Sequence, residues 1–353
     1  MQPCRQKGGV SIFKELLMKF QPAALSGALA AALLAACSPS TPNEPSPTAS
    51  SAAAAAAPKR VAITAIVEHP ALDTIRTGVI DGLKENGFEE GKNLIVDFQS
   101  AQGSTANAAQ IAKKFAGDNP DAIVAITTPS AQAVAAATKN IPVVYSAVTD
   151  PVGAQLVKDF NPSGTNITGV SDQLPVGPQI DLMKKLRPKL KAIGYVYSPG
   201  EVNSTSVLKR LEAKAAEQGI AVVAVPAQRS ADVLIAVRSL NGKVDAVFTS
   251  LDNNVVSAYE SMYKASVEMK IPLVASDADS VTRGAVAALG MDSYGLGKRT
   301  GRMTAEILNG KKAGEIPSET LDGLELIVSK KHAAEVGITL PEDVLKEAKE
   351  IKE

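Results

Sequence analysis

The sequence predicts an α/β chain of two doubly wound parallel-sheet domains joined by a three-segment hinge. Three observations point there. From residue 60 onward, short β-branched runs alternate with stretches of helical periodicity, the pattern of βαβ crossovers on a parallel sheet. One such unit is echoed once, far along the chain. Asp121-Ala122-Ile123-Val124-Ala125 returns as Asp245-Ala246-Val247-Phe248-Thr249, and Ile141-Pro142-Val143-Val144 as Ile271-Pro272-Leu273-Val274. A long, single echo means two domains of one architecture rather than a solenoid. Finally, aromatic residues make up 4% and Trp is absent, so Ala, Val, Ile and Leu must fill the cores, as in helix-covered parallel sheets.

The chain opens with segments that are not expected to belong to either domain. From Met18 it reads MKFQPAALSGALAAALLAAC, a basic residue, an apolar stretch and small residues before Cys37. The stretch is shorter than the ~20 apolar residues of a membrane-spanning helix and has the form of a signal peptide. Leu34-Ala35-Ala36-Cys37 resembles a bacterial lipoprotein signal, which implies cleavage before Cys37 and lipid on its sulfur. Residues 1–37 are thus expected to be a signal peptide with a lipobox, Met18 serving as its start. Residues 38–59, rich in Pro, Ser and Ala, are expected to be a disordered tether.

The body then proceeds in two series. The first has strands at 60–67, 93–99, 121–127 and 141–147 and helices at 71–86, 104–116 and 130–138. Leu72, Ile75, Val79, Ile80 and Leu83 share one face of the first helix, and Gly87 stops it. The second series has strands at 192–197, 220–225, 244–249, 271–275 and 285–289 and helices at 202–218, 231–240 and 253–269. A strand at 166–170, a helix at 295–308 and a strand at 324–329 supply the crossings. The hinge is expected near 165–172, 288–294 and 320–326. The domains would be 60–165 with 293–322, and 166–292 with 323–347.

At 353 residues the chain is long enough for two cores. Its 37 basic residues balance 37 acidic ones, so there is no footprint for nucleic acid. Cys4 and Cys37 precede the body, and His69 and His332 are the only histidines. Neither a disulfide nor a metal site is expected in the body. There is no G-x-S-x-G, no Walker spacing and no usable His/Cys set, so no catalytic residues and no cofactor are expected. The glycines of 295–301 read as turn and close-packing residues. A transcription regulator of related fold would carry a DNA-binding module where the signal segment and tether stand.

In open α/β sheets ligands bind beyond the carboxyl ends of the strands, and those positions are polar here. The candidates are Glu68 after the first strand, Thr128, Ser130 and Ala131 after the third, and Ser146, Thr149 and Asp150 after the fourth. In the second series they are Asn203, Asp252, Asn253 and Asp277. Thr128-Pro129-Ser130 opens a helix whose free N–H groups and dipole favour an anion; an ordinary cap is the rival reading. Glu68, Asp252 and Asp277 stand where a ligand ammonium would be met, or serve as caps and loop acids. His69, before Pro70, stands within reach of a ligand but reads first as a surface or packing residue, and His332 reads as a surface residue.

Several blocks resemble one family: Glu68-His69-Pro70-Ala71-Leu72-Asp73, Thr128-Pro129-Ser130-Ala131-Gln132-Ala133, Ala147-Val148-Thr149-Asp150-Pro151-Val152-Gly153-Ala154, Asn166-Ile167-Thr168-Gly169-Val170-Ser171-Asp172, Leu251-Asp252-Asn253 and Gly290-Met291-Asp292. They resemble, in order along residues 60–345, the ABC-transporter substrate-binding proteins whose characterised members take tryptophan, phenylalanine and tyrosine. The resemblance implies a periplasmic-binding-protein fold of the first type. It also implies closure about the hinge on a small amino-acid-like ligand and delivery to a permease and ATPase pair from an extracytoplasmic, membrane-anchored position. An aromatic amino acid is the leading ligand, with a branched-chain amino acid or another small solute as alternative, and ligand sensing is the alternative role. Tyr145, Tyr197, Phe248 and Tyr294 are the aromatic side chains near strand ends. A monomer is expected.

Overall fold

A computed structural model describes residues 57–353. The expected signal segment, Cys37 and the tether up to residue 56 lie outside the described residues. The chain runs β1 (Lys59–Ala65), α1 (Pro70–Glu85), β2 (Leu94–Ser100), α2 (Thr105–Asp118), β3 (Ala122–Ile126), α3 (Thr128–Ala137), β4 (Val143–Ser146) and β5 (Ile167–Ser171). It continues with α4 (Val176–Leu186), β6 (Ala192–Tyr197), α5 (Val202–Ala216), β7 (Ala221–Pro226), α6 (Val233–Arg238), β8 (Ala246–Thr249), α7 (Asn253–Ser257), α8 (Tyr259–Met269), β9 (Leu273–Ala275), α9 (Asp279–Thr282) and β10 (Ala287–Gly290). Then follow α10 (Ser293–Leu308), β11 (Glu319–Thr320), β12 (Glu325–Ser329), α11 (Lys330–Glu335), α12 (Glu342–Glu347) and β13 (Glu350–Lys352).

Two sheets result, in the orders β11-β5-β4-β3-β1-β2 and β13-β12-β10-β9-β8-β6-β7. The pairing is parallel except between β10 and β12. Alternate residues of each central strand are buried on opposite faces, which is why these strands read as continuous apolar runs. In the first lobe Val61, Ile63, Val124 and Ile126 pack toward α1 and α10. Ala62, Ile123 and Ala125 pack with Phe115 of α2 and Val134 of α3. The second lobe repeats this arrangement. Ile193 and Tyr195 face Met183 of α4 and Leu211 of α5. Val196 and Val247 face Val237 of α6 and Met262 of α8.

The strand at Ile167–Ser171 pairs with β4 and with β11. It therefore completes the first sheet, although the sequence suggested that it begins the second domain. The chain crosses between lobes at 172–175, 291–292 and 321–324. Helix α10 returns to the first lobe and packs along α1. Gly78 and Gly82 on α1 meet Gly297 and Gly301 on α10, and a Cβ at any of the four would run into the other helix's backbone. The glycines of 295–301 thus serve close packing. The single helix expected at 253–269 is broken at Ala258 into α7 and α8. The C-terminal tail adds β13, largely exposed, beside β12. His332, expected at the surface, is buried, with Nδ1 2.9 Å from Glu335 Oε2 and its ring edge-on to Tyr263.

Candidate functional site

The strand ends of the two sheets open on one shared cavity lined from both lobes, the place where open α/β sheets take ligands. The first lobe contributes Thr127 and Thr128 from the β3–α3 junction and Ala147 and Thr149 from after β4. The second contributes Asn203, Leu251, Asn253, Ser276 and Asp277. The crossings add Asp172, Leu174 and Met291. An apolar wall comes from the amino ends of α1 and α10, where Leu72, Ile75 and Leu296 face the cavity.

Between β3 and α3 stands a single residue, Thr127, at φ 78° and ψ 157°. A β-branched residue at such a positive φ carries strain of about 1–3 kcal/mol, a condition concentrated at functional sites. Pro129 sits in the first turn of α3, where its missing N–H is no loss. The hydroxyls of Thr127, Thr128 and Ser130 are buried without a hydrogen-bond partner among the described residues. The positive end of α3 therefore adjoins a row of unsatisfied hydroxyls, an arrangement suited to an anionic group.

The opposite side is rich in carboxylates, but most are engaged. Asp252 is fully buried and accepts from Ser198 N, Ser198 Oγ, Ser204 Oγ, Asn254 N and Val255 N at 2.6–3.0 Å. It caps α7 and ties the β6–α5 turn to it. Glu201 Oε2 accepts from Asn203 Nδ2 at 2.9 Å and Asn253 Nδ2 at 2.7 Å, positioning two lining amides. Burial, with Asp252 as a second cause, pushes the Glu201 carboxyl well above the usual carboxylate range. Asp277 accepts from Ser280 N and Ser280 Oγ at 2.9 and 2.7 Å, capping α9. Asp172 is the exception: it is 7% exposed, and its Oδ1 has no partner among the described residues. Burial pushes its carboxyl up to about 6, although the neighbouring Thr149 hydroxyl and the charge of Arg210 pull the other way.

Among the described residues, polar side-chain contacts join the lobes at Asp150 and at His69. Asp150 accepts from Ser206 of α5, and Arg283 Nη1 lies 2.7 Å from His69 Nε2. A guanidinium only donates, so this contact needs His69 neutral. The ring has one acceptor nitrogen in that state, and Ala71 N, 3.2 Å from Nδ1, competes with Arg283 for it. Burial above all, with Arg283 adding to it and Asp277 opposing, lowers the His69 pKa.

His69 lines the cavity. Of the eleven ligand contacts expected from sequence, Thr128, Thr149, Asn203, Asn253 and Asp277 line it as well. The others do not. Glu68 is exposed and bonded to Gln102; Ser130 and Ala131 are fully buried in the first turn of α3. Ser146 bonds Thr300 of α10 at 2.8 Å. Asp150 and Asp252 are held as described. Among the aromatics, Phe248 lines an adjoining smaller pocket, Tyr145 is buried in the first core, Tyr197 stacks beside Tyr195, and Tyr294 is exposed, bonded to Asp81. Asp172, Glu201 and Arg283 were not among the sequence candidates. For Asp172 a signal existed, since it is the residue directly after a strand end.

The family model for ABC transporter substrate binding proteins matches residues 60–352. A tyrosine-binding protein of Clostridioides difficile is 39% identical over 305 residues, 86% of this chain and 88% of that one. A solved structure of an ABC domain in complex with L-Trp, from Streptococcus pneumoniae, is 35% identical with a TM-score of 0.81, covering 84% of this chain and all of that one (100%). The ligand-free, open structure of a substrate binding protein with adhesive properties from Clostridium difficile is 40% identical but has a TM-score of 0.64, covering 83% and 99%. Of these two structures, the one of higher identity superposes less well.

Proposed function

The chain belongs to the ABC transporter substrate-binding protein family, whose members bind solutes rather than transform them, and from that premise we propose that its cavity holds an aromatic amino acid as the zwitterion. The observation that carries this reading is the division of the cavity wall. Partnerless hydroxyls at the positive end of α3 offer donors to a carboxylate, while Leu72, Ile75, Leu251, Val256 and Leu296 offer apolar surface to a ring. The tyrosine-binding relative and the L-Trp complex support the same class.

In this reading Thr127 and Thr128 bind the carboxylate on the first lobe, and Asn203 and Asn253 meet the ligand from the second. A ligand touching both lobes favours the closed form by its differential affinity. Moving a population from 1:99 to 99:1 takes about 5.5 kcal/mol, less than the ~8 kcal/mol of micromolar binding. Export, acylation at Cys37 and hand-over to a permease complete the proposed role, and the form of residues 18–37 supports the first two.

A thermal-shift screen of the full chain against amino acids and sugars tests the ligand class. Upward shifts with L-Phe, L-Tyr or L-Trp and none with sugars are expected. A sugar-only response would refute the amino-acid reading.

A further inference from the structure

We propose that Asp172 receives the ammonium of the bound amino acid, so that the cavity admits free amino acids and rejects analogues whose nitrogen is missing or acylated. The assignment rests on the amino-acid reading of the cavity and names the group that recognises one end of the ligand.

It follows from what each carboxylate is already doing. Asp252 has both oxygens filled by five donors. Glu201 holds Asn203 and Asn253 and does not line the cavity. Asp150 is bonded to Ser206 and to Gly153 N. Asp277 does line the cavity, but both its oxygens serve Ser280. Asp172 alone among these combines a place on the wall, 7% exposure and an oxygen with no donor.

A buried carboxylate short of donors is unstable unless a cation or proton comes to it. Within the protein the charged neighbours are Arg210 and, facing the same guanidinium, Asp150. Among the described residues no ion pair with Asp172 lies within 4 Å. The upward push on its proton affinity expresses the same shortage.

A second acceptor points to the same ligand group. Asn203, 3% exposed, donates Nδ2 to Glu201 Oε2 at 2.9 Å and to Leu251 O at 3.0 Å. Those two acceptors fix the amide orientation, so the atom left without a partner is its carbonyl oxygen Oδ1. The cavity therefore carries partnerless acceptors on Asp172 and Asn203, and partnerless hydroxyls at α3. An ammonium with three N–H donors answers the first pair, as a carboxylate answers the second set.

Calorimetry at pH 8 on the full chain, wild type and Asp172→Asn, compares L-Phe, L-Tyr and L-Trp with 3-phenylpropionate, 3-(4-hydroxyphenyl)propionate and indole-3-propionate. The wild type is expected to prefer each amino acid over its nitrogen-free analogue by on the order of 100-fold or more. Asp172→Asn is expected to lose about that factor for the amino acids while holding the analogues at least as well as before. Amino-acid affinity left within about 5-fold by the substitution would overturn the assignment alone, since loss of one partner of a buried charge pair costs far more. Wild-type protein that binds the analogues as tightly as the amino acids would overturn it too, and that comparison does not need the variant to fold. Wild-type protein that binds none of the amino acids but takes another solute would instead remove the amino-acid reading, and the assignment with it.

Discussion

Replacing Asp172 by Asn is expected to stabilise the protein in the absence of ligand. In the folded state burial raises the Asp172 carboxyl from 3.8 to about 6. At 1.36 kcal/mol per tenfold change in proton affinity, this corresponds to a penalty of about 3 kcal/mol. The sign follows from proton binding. Between pH 4 and 6 the folded chain holds this proton more tightly than the unfolded chain, so stability falls as pH rises through that window. The penalty is absent near pH 4 and complete by about pH 7. Asn has no charge to desolvate and retains an acceptor for Thr149. Urea denaturation of both proteins without ligand should therefore show the variant ahead by about 3 kcal/mol at pH 8, with the gap closing at pH 4. The attraction of Arg210 for the charged carboxylate is lost in the variant, and it is already contained in the value of about 6. A variant that is less stable at pH 8, or a gap that ignores pH, would refute the claim that this carboxylate is short of partners.

Asp252→Asn should do the reverse, since an amide cannot accept on both sides from the five donors around Asp252. We expect a loss of about 3 kcal/mol in urea denaturation, with ligand affinity of the folded fraction changed little. Thr127→Gly relieves the strain at φ 78° and should raise stability by about 1 kcal/mol while weakening amino-acid binding about tenfold through the lost hydroxyl. Gly301→Val should drive a side chain into the backbone of α1 at Val79 and Gly82 and lower the midpoint of thermal unfolding by an amount equivalent to about 3 kcal/mol. His69, its pKa lowered chiefly by burial and faced by Asp277, Arg283, Asp279, Asp73 and Glu260, should gain a proton as pH falls through its depressed pKa. The closed form would then lose the Arg283 contact, and scattering dimensions with subsaturating ligand should grow on acidification in the wild type but not in His69→Gln.

Most of the fold was legible because its signals are local and repeated. Buried parallel strands must be apolar on both faces, and crossover helices must be amphipathic, so runs such as Ala122–Ile126 announce themselves. Lobe membership of the strand at Ile167–Ser171 was not legible, because any apolar strand after a loop can join either sheet. Its place is decided by β4 and β11 pairing on either side of it. The break at Ala258 and the added β13 were hidden for the same reason, since tertiary contacts override weak local preference.

At the site, strand ends located the cavity but not the division of labour among its acids. Sequence shows that Asp252, Asp277 and Asp172 all follow strands. It does not show how many donors each will meet after folding, and that number decides the role. Asp252 and Asp277 precede short helices, whose first N–H groups satisfy them. Asp172 precedes Gln173-Leu174-Pro175 at a crossing between lobes, where the next helix begins only at Val176. A carboxylate at a crossing meets no helix amino end, and under the proposed closure a crossing that bends is a poor place for a fixed cage of donors. A ligand that arrives as the lobes close can supply the missing donor at that moment, which couples recognition of the ammonium to closure at the same residue.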